Sequence, residues 1–190
     1  EFLKKSKFNT AYLYMILTYG NDETDSAEFT YNQCSKFGVH FDYISCVKMI
    51  DNYLPVFDMN EQKALDKNIN AQLLTILDDI DNLKKEIPPS TPDGRKLHAR
   101  VAKMNKIIPS LNNGKAIKVN ADKCIGCKVC TQVCPIGNIV VTISAQRLSK
   151  KCEFCLACVH SCPENAIGLK MDKNPNARFR NENITLQEII

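Results

Sequence analysis

The sequence predicts an α+β chain in two parts: a strand–helix–strand–helix segment of the parallel α/β type, then a small cysteine-rich domain. Three observations predict it. Apolar runs and helical spacings alternate over residues 12–87. Eight of the ten cysteines lie between Cys124 and Cys162. A breaker run, Ile87-Pro88-Pro89-Ser90-Thr91-Pro92-Asp93-Gly94, separates the two regions. The 190 residues, 44% hydrophobic with a net charge of +4, suffice for two small apolar cores. The expected division is 1–87, a Pro-rich linker with a short amphipathic helix at 88–114, and 115–190. No run approaches the ~18 apolar residues of a membrane span. No secretion signal is visible, so a cytoplasmic setting is expected, with cysteines that bind metal in preference to forming disulfides.

The first part opens with an apolar strand, Tyr12 to Tyr19, ending in Tyr-Gly-Asn. A helix over Ser26 to Phe37 and a second strand over Val39 to Val47 follow. A long helix comes next, in which Ile69, Leu73, Ile76, Ile80, Leu83 and Ile87 recur at spacings of three and four as one apolar stripe. Asp58 or Asn60 is the expected cap at its start, and Lys84 and Lys85 suit its negative end. Cys34 and Cys46 fall in the helix and strand and read as buried thiols. In the linker, Leu97, Val101, Met104 and Ile108 mark one face of a short helix, which ends before a second breaker run from Pro109 to Gly114.

The cysteine region is an internal duplication. Cys-Ile-Gly-Cys-Lys-Val-Cys-Thr-Gln-Val-Cys-Pro from Cys124 and Cys-Glu-Phe-Cys-Leu-Ala-Cys-Val-His-Ser-Cys-Pro from Cys152 share C-x2-C-x2-C-x3-C-P, offset by 28 residues throughout. Three cysteines two residues apart wrap a loop around three corners of a cubane. The fourth, followed by a proline, is directed to the other cluster. Two [4Fe–4S] clusters are therefore expected. Cys124, Cys127, Cys130 and Cys162 would hold the first; Cys152, Cys155, Cys158 and Cys134 would hold the second. Structural zinc normally uses separated pairs of cysteines, and disulfides do not readily close between cysteines so near along a tight loop. Gly126 would let the backbone approach one cluster, whereas its counterpart Phe154 would shield the other; His160 reads as a surface residue. Short strands are expected at Lys115 to Val119 and Gly168 to Met171, with a hairpin from Val140 to Ser149. In the tail, Thr185 and Glu188 match a capping box before Ile189 and Ile190. Residues 114–190 hold 11 basic and 6 acidic side chains, a surplus of +5 that two clusters of about −2 each would reduce to about +1. The cations are scattered, and no nucleic-acid partner is expected.

From Cys124 to Pro163, and over roughly residues 115–173, the chain resembles the bacterial two-cluster [4Fe–4S] ferredoxin domain. Thr18-Tyr19-Gly20, Asn52-Tyr53-Leu54-Pro55 and Arg178 to Ile189 extend the likeness to a bacterial and archaeal family of flavodoxin–ferredoxin proteins. The resemblance implies a partial flavodoxin-like α/β segment with a parallel sheet, followed by the ferredoxin-like domain. It also implies Thr18, Tyr19, Gly20, Asn52 and Tyr53 as contacts to FMN. Two strands fall short of the roughly five of a doubly wound sheet. The phosphate-gripping loop is not in this sequence, and its first residue is Glu1. The first strands are therefore expected to precede it, and FMN is expected in the full-length parent, not in this chain alone.

The function implied is relay of single electrons by two [4Fe–4S] clusters, with an internal flavin domain or a redox partner protein as the other party. Two readings stay beside it: a flavin-dependent reductase using the clusters as its electron supply, and a non-redox interaction domain stapled by metal. No catalytic residue is assigned, and no G-x-G-x-x-G loop is present for a dinucleotide.

Overall fold

A computed structural model describes residues 2–107, 113–149 and 151–189. Ile108, Pro109 and Ile190, assigned above to the linker helix, its breaker and the tail helix, lie outside these residues. In chain order the elements are α1 (Phe2–Lys5), β1 (Tyr14–Tyr19), α2 (Ser26–Ser35), β2 (Tyr43–Lys48), α3 (Met59–Lys63), α4 (Ile69–Asp81) and α5 (Pro92–Ile107). They continue with β3 (Ile117–Val119), α6 (Val129–Gln132), β4 (Ile139–Val141), β5 (Ala145–Arg147), α7 (Ala157–His160), β6 (Ile167–Leu169) and α8 (Leu186–Ile189).

Glu1–Asp51 with Leu65–Lys103 form one unit, and Asn52–Ala64 with Met104–Ile190 form the other. This division departs from the expected borders at 87 and 114. Residues 52–64 belong to the cysteine-rich unit because Leu54 and Met59 are fully buried in its core. The start of α5 and the residues just before it belong to the first unit through contacts to α2 and its N-cap residue Asp25. His98 pairs with Asp25 at 2.7 Å and meets Phe29 edge-on at 4.7 Å, while Glu28 accepts from the Ser90 N–H at 2.9 Å.

In the first unit, β1 and β2 pair in parallel from Tyr14↔Tyr43 to Tyr19↔Lys48, joined through α2. Alternate residues of β2 serve opposite faces. Ile44 packs with Ala27, Cys34, Val39 and Phe41, whereas Tyr43 and Val47 pack with Ile76. The long apolar stripe does not form one helix to Ile87. Leu83 adopts a left-handed φ of 51°, which ends α4 at Asp81, and the chain then runs beside β2. There the Ile44 N–H donates to the Glu86 carbonyl at 3.0 Å and the Glu86 N–H to the Asp42 carbonyl at 2.9 Å. Ile76 is the buried residue of α4, while Leu73 and Leu83 are exposed. Asp58 caps α3, accepting from the Asn60 N–H at 2.8 Å, and not the long helix. Helix α5 starts at Pro92, earlier than its apolar spacing shows. Proline suits a first helical position, and the Thr91 hydroxyl accepts from the Gly94 N–H at 3.0 Å.

In the second unit, β3 and β6 pair antiparallel, bringing the two ends of the cysteine repeat together, and β4 and β5 form a hairpin. Its core includes Ile117, Val133, Leu156, Val159 and Ile167, with the thiols Cys130 and Cys158 among them. In the tail, the Glu188 carboxylate accepts from both the N–H and the hydroxyl of Thr185, at 2.7 and 2.8 Å.

Candidate metal centres

The 28-residue offset of the sequence is repeated in the backbone. Three pairs of equivalent residues take left-handed conformations: Gly126 and Phe154 (φ 69° and 51°), Lys128 and Leu156 (64° and 60°), and Gly137 and Asn165 (59° and 48°). Three of these six, Lys128, Phe154 and Leu156, carry side chains that disfavour the conformation, a cost of about 1–2 kcal/mol each. Such alternation turns successive N–H groups toward the enclosed side, the arrangement of an anion-binding nest. One short helix follows each loop, α6 in the first repeat and α7 in the second. Four sulfurs accept backbone N–H bonds: Cys134 from Asn138 and Cys162 from Ala166, both at 3.2 Å, and Cys124 from Ala145 and Cys152 from Phe154, both at 3.4 Å.

Two cavities follow from this folding. Cys124, Cys127, Cys130 and Cys162 line one, with Val141 and Ile167 in its wall. Cys134, Cys152, Cys155 and Cys158 line another, with Ile117 and Ile139. Each cavity thus receives three cysteines from one repeat and one from the other. Among the described residues no three His, Cys, Asp or Glu side chains converge closely enough to hold a single ion. Burial and then the neighbouring cysteines push the Cys158 thiol up to about 12, and the same causes raise Cys130. Four thiolates at such a site need a cationic group among them. The walls fit one: sulfur donors on all sides, inward N–H groups and an apolar rim.

Supporting side chains complete the second cavity. Buried Asn138 donates to the carbonyls of Ser149 and Lys151, at 3.3 and 2.6 Å, and accepts from the Ser149 N–H at 2.9 Å. This ties down the chain that leads into Cys152. Arg147 also lines this cavity, and its Nε–H is buried with no hydrogen-bond partner among the described residues. Nothing in the sequence distinguishes Asn138 or Arg147, because neither belongs to the repeated motif.

His160 is not the surface residue its sequence position implied. It is half-buried, and both ring nitrogens are engaged: Nε2–H donates to the Asn52 carbonyl at 3.0 Å, and Nδ1 accepts from the Phe179 N–H at 3.1 Å. Burial holds its pKa below the ordinary imidazole value, with Arg178 adding to the effect and the Asn52 carbonyl opposing it. Asp58 accepts from Asn174 at 2.8 Å, and the Lys173 N–H donates to the Leu54 carbonyl at 2.9 Å. Segment 52–64 and the tail are thereby fastened to the cysteine-rich unit.

The candidate flavin residues fall in different units. Thr18 and Tyr19 end β1, and Gly20 follows, so close to Asp51 that a Cβ on it would collide with the Asp51 carboxylate. Asn52 and Tyr53 belong to the second unit, where the Tyr53 ring stands edge-on to Phe154 with centroids 6.1 Å apart. Of the two remaining cysteines, Cys34 is buried as expected, and Cys46 is half-buried 3.8 Å from the Ser26 hydroxyl.

A family model described as a 4Fe-4S dicluster domain matches residues 116–163. An uncharacterized ferredoxin of Methanocaldococcus jannaschii is 36% identical over 72 residues, which is 35% of this chain and 92% of that protein. A component of an ion-translocating oxidoreductase complex of Methanosarcina acetivorans is 41% identical over 70 residues, 36% of this chain and 26% of that component. A component of an NAD(P)H-quinone oxidoreductase of Gloeobacter violaceus is 32% identical over 89 residues, 40% of this chain and 43% of that component. The chain therefore spans less than half of either oxidoreductase component. No solved structure matches the chain. Among the described residues no helix is long and apolar enough to cross a membrane.

Proposed function

Through its cysteine-rich unit this chain belongs to the 4Fe–4S ferredoxins, and from that premise we infer that its two cysteine-ringed cavities each hold one [4Fe–4S] cluster. Its role is electron transfer, supported by the dicluster domain and by relatives named as a ferredoxin and as components of oxidoreductases. The observation that carries the two-cluster reading is the crossed lining: Cys162 stands with Cys124, Cys127 and Cys130, and Cys134 with Cys152, Cys155 and Cys158.

When bound, such clusters supply one-electron oxidation and reduction. The chain's own residues do the rest. Eight thiolates fix the two sites, and the crossed fourth cysteines tie one repeat to the other. Backbone N–H groups at Asn138, Ala145, Phe154 and Ala166 steady charge on the sulfurs. Val141, Ile117, Ile139 and Ile167 keep water from the cavity walls. The reading expects a redox partner protein as donor or acceptor. An anaerobic dithionite titration followed by visible absorption and electron paramagnetic resonance tests it. Uptake of about two electrons per chain is expected, one per cluster; a chain that takes up none overturns the redox reading.

The first unit is read as the closing part of a flavodoxin-like domain, on the support of its parallel β1–α2–β2 arrangement. Ligands of such sheets bind at the carboxyl ends of the strands, where Thr18, Tyr19 and Gly20 stand. FMN in the full-length parent would then be the internal electron partner. Flavin retained by the parent but not by this chain is the expected result. A parent that holds no flavin on purification or reconstitution refutes it.

A further inference from the structure

Arg147 ends β5 and is half-buried. Its guanidinium is held by three backbone carbonyls: Nη1–H donates to Gly114, and Nη2–H donates to Asn113 at 3.0 Å and to Ser149 at 3.1 Å. These partners are neutral, so they fix the charge without cancelling it. The Nε–H is buried and has no acceptor among the described residues. Arg147 lines the cavity of Cys134, Cys152, Cys155 and Cys158, whose other charged lining residue, Glu153, is exposed. A Cβ placed on Gly114 would lie 2.6 Å from the Cys152 sulfur and 3.2 Å from Arg147 Cζ, so the absent side chain lets all three groups share one spot.

The other cavity has no counterpart. Its charged lining residues, Lys128 and Glu164, are both exposed. The residues 28 positions before and after Arg147 are Val119 and Pro175, so the duplication supplies no equivalent cation. A fixed, partly dry cation therefore stands beside one cavity only among the described residues.

We propose that Arg147 sets the reduction potential of the cluster at Cys134, Cys152, Cys155 and Cys158, raising it above that of its neighbour. This rests on the two-cluster reading. Reduction adds one negative charge inside a ring of thiolates, and a fixed cation stabilises the reduced form more than the oxidised one. Partial burial strengthens that interaction relative to water. The unpaired Nε–H is a donor for sulfur, and such bonds raise cluster potentials in the same direction. One electron is exchanged, with no bond made or broken, and its resting place is the cavity beside Arg147. The asymmetry gives the pair a direction.

The test is a redox titration of the full chain followed by electron paramagnetic resonance, with iron and sulfide counted on the same samples. In the unmodified chain the two potentials are separated, and assigned cysteine β-proton shifts place the higher one on Cys152, Cys155 and Cys158. In Arg147→Met that cluster becomes at least tenfold harder to reduce, 59 mV for a one-electron couple, while the other stays within threefold. Arg147→Lys, which keeps the charge, shows a smaller loss. Equal potentials in the unmodified chain, the reverse order, or a shift shared by both clusters in Arg147→Met overturns the proposal. If Arg147→Met fails to load, the order in the unmodified chain decides. An unmodified chain that does not hold two clusters refutes the underlying reading instead, and the iron count tells the two failures apart.

Discussion

Replacing Cys162 by alanine separates crossed ligation from ligation within each repeat. Cys162 is one of four cysteines on the first cavity and is absent from the lining of the second. The substitution removes one of four sulfurs from one site and none from the other, and deprives the Ala166 N–H of its acceptor at 3.2 Å. From a full complement of about eight irons, between about one and about four should be lost, depending on whether one corner or the whole cluster is released. All of that loss falls on the site of Cys124, Cys127 and Cys130, although Cys162 belongs to the repeat of Cys152. Cys134→Ala gives the mirror result, sparing Cys124 and damaging the site of Cys155. Iron analysis gives the size of the loss, and assigned cysteine β-proton shifts in the reduced protein give its place. Damage by Cys162→Ala to the Cys155 site, with the Cys124 site intact, would refute the crossed arrangement.

Three further outcomes follow from the supporting contacts. His160→Ala removes the bonds to Asn52 and Phe179; at about 0.5–1.5 kcal/mol each, protection of the Phe179 amide from hydrogen exchange should drop by roughly five- to a hundredfold. Unchanged protection would show that His160 does not fasten the tail. Gly114→Ala forces a side chain into φ +69°, worth about 1–2 kcal/mol, and toward the Cys152 sulfur. Iron should be lost selectively from the second cavity, and full loading would contradict the close approach. The Ser90 side-chain and backbone bonds hold the Glu28 carboxyl below its ordinary pKa. The unfolded chain therefore binds more protons in that window, and the stabilisation is complete above the ordinary carboxylate pKa and lost as pH falls through the depressed value. Protection of the Ser90 amide, taken relative to its intrinsic exchange rate, should fall over that acidic range, and Glu28→Gln should abolish that fall; a variant that keeps it would show another group is responsible.

The legible parts of the chain were those governed by spacing. The eight cysteines, their 28-residue offset and the two short terminal strands follow from local sequence; the pairing of those strands does not. The capping pair Thr185 and Glu188 is also legible from spacing. Elements settled by long-range packing were not. The Ile69–Ile87 stripe has unbroken helical periodicity, yet the left-handed Leu83 ends the helix and sends Glu86 to the edge of β2. Residues 52–64 follow a strand in sequence, and only the burial of Leu54 and Met59 reveals which core they join. Arg147 carries no motif; what sets it apart is three carbonyls that hold it and a donor without an acceptor among the described residues.

Iron, acid-labile sulfide and zinc counted on the intact chain, with visible spectra before and after dithionite, test the two-cluster account most directly. It predicts about eight irons and about eight sulfides per chain, with a broad absorption that dithionite bleaches and air restores. A colourless protein carrying zinc, or an intact chain that never exceeds about four irons, would contradict it.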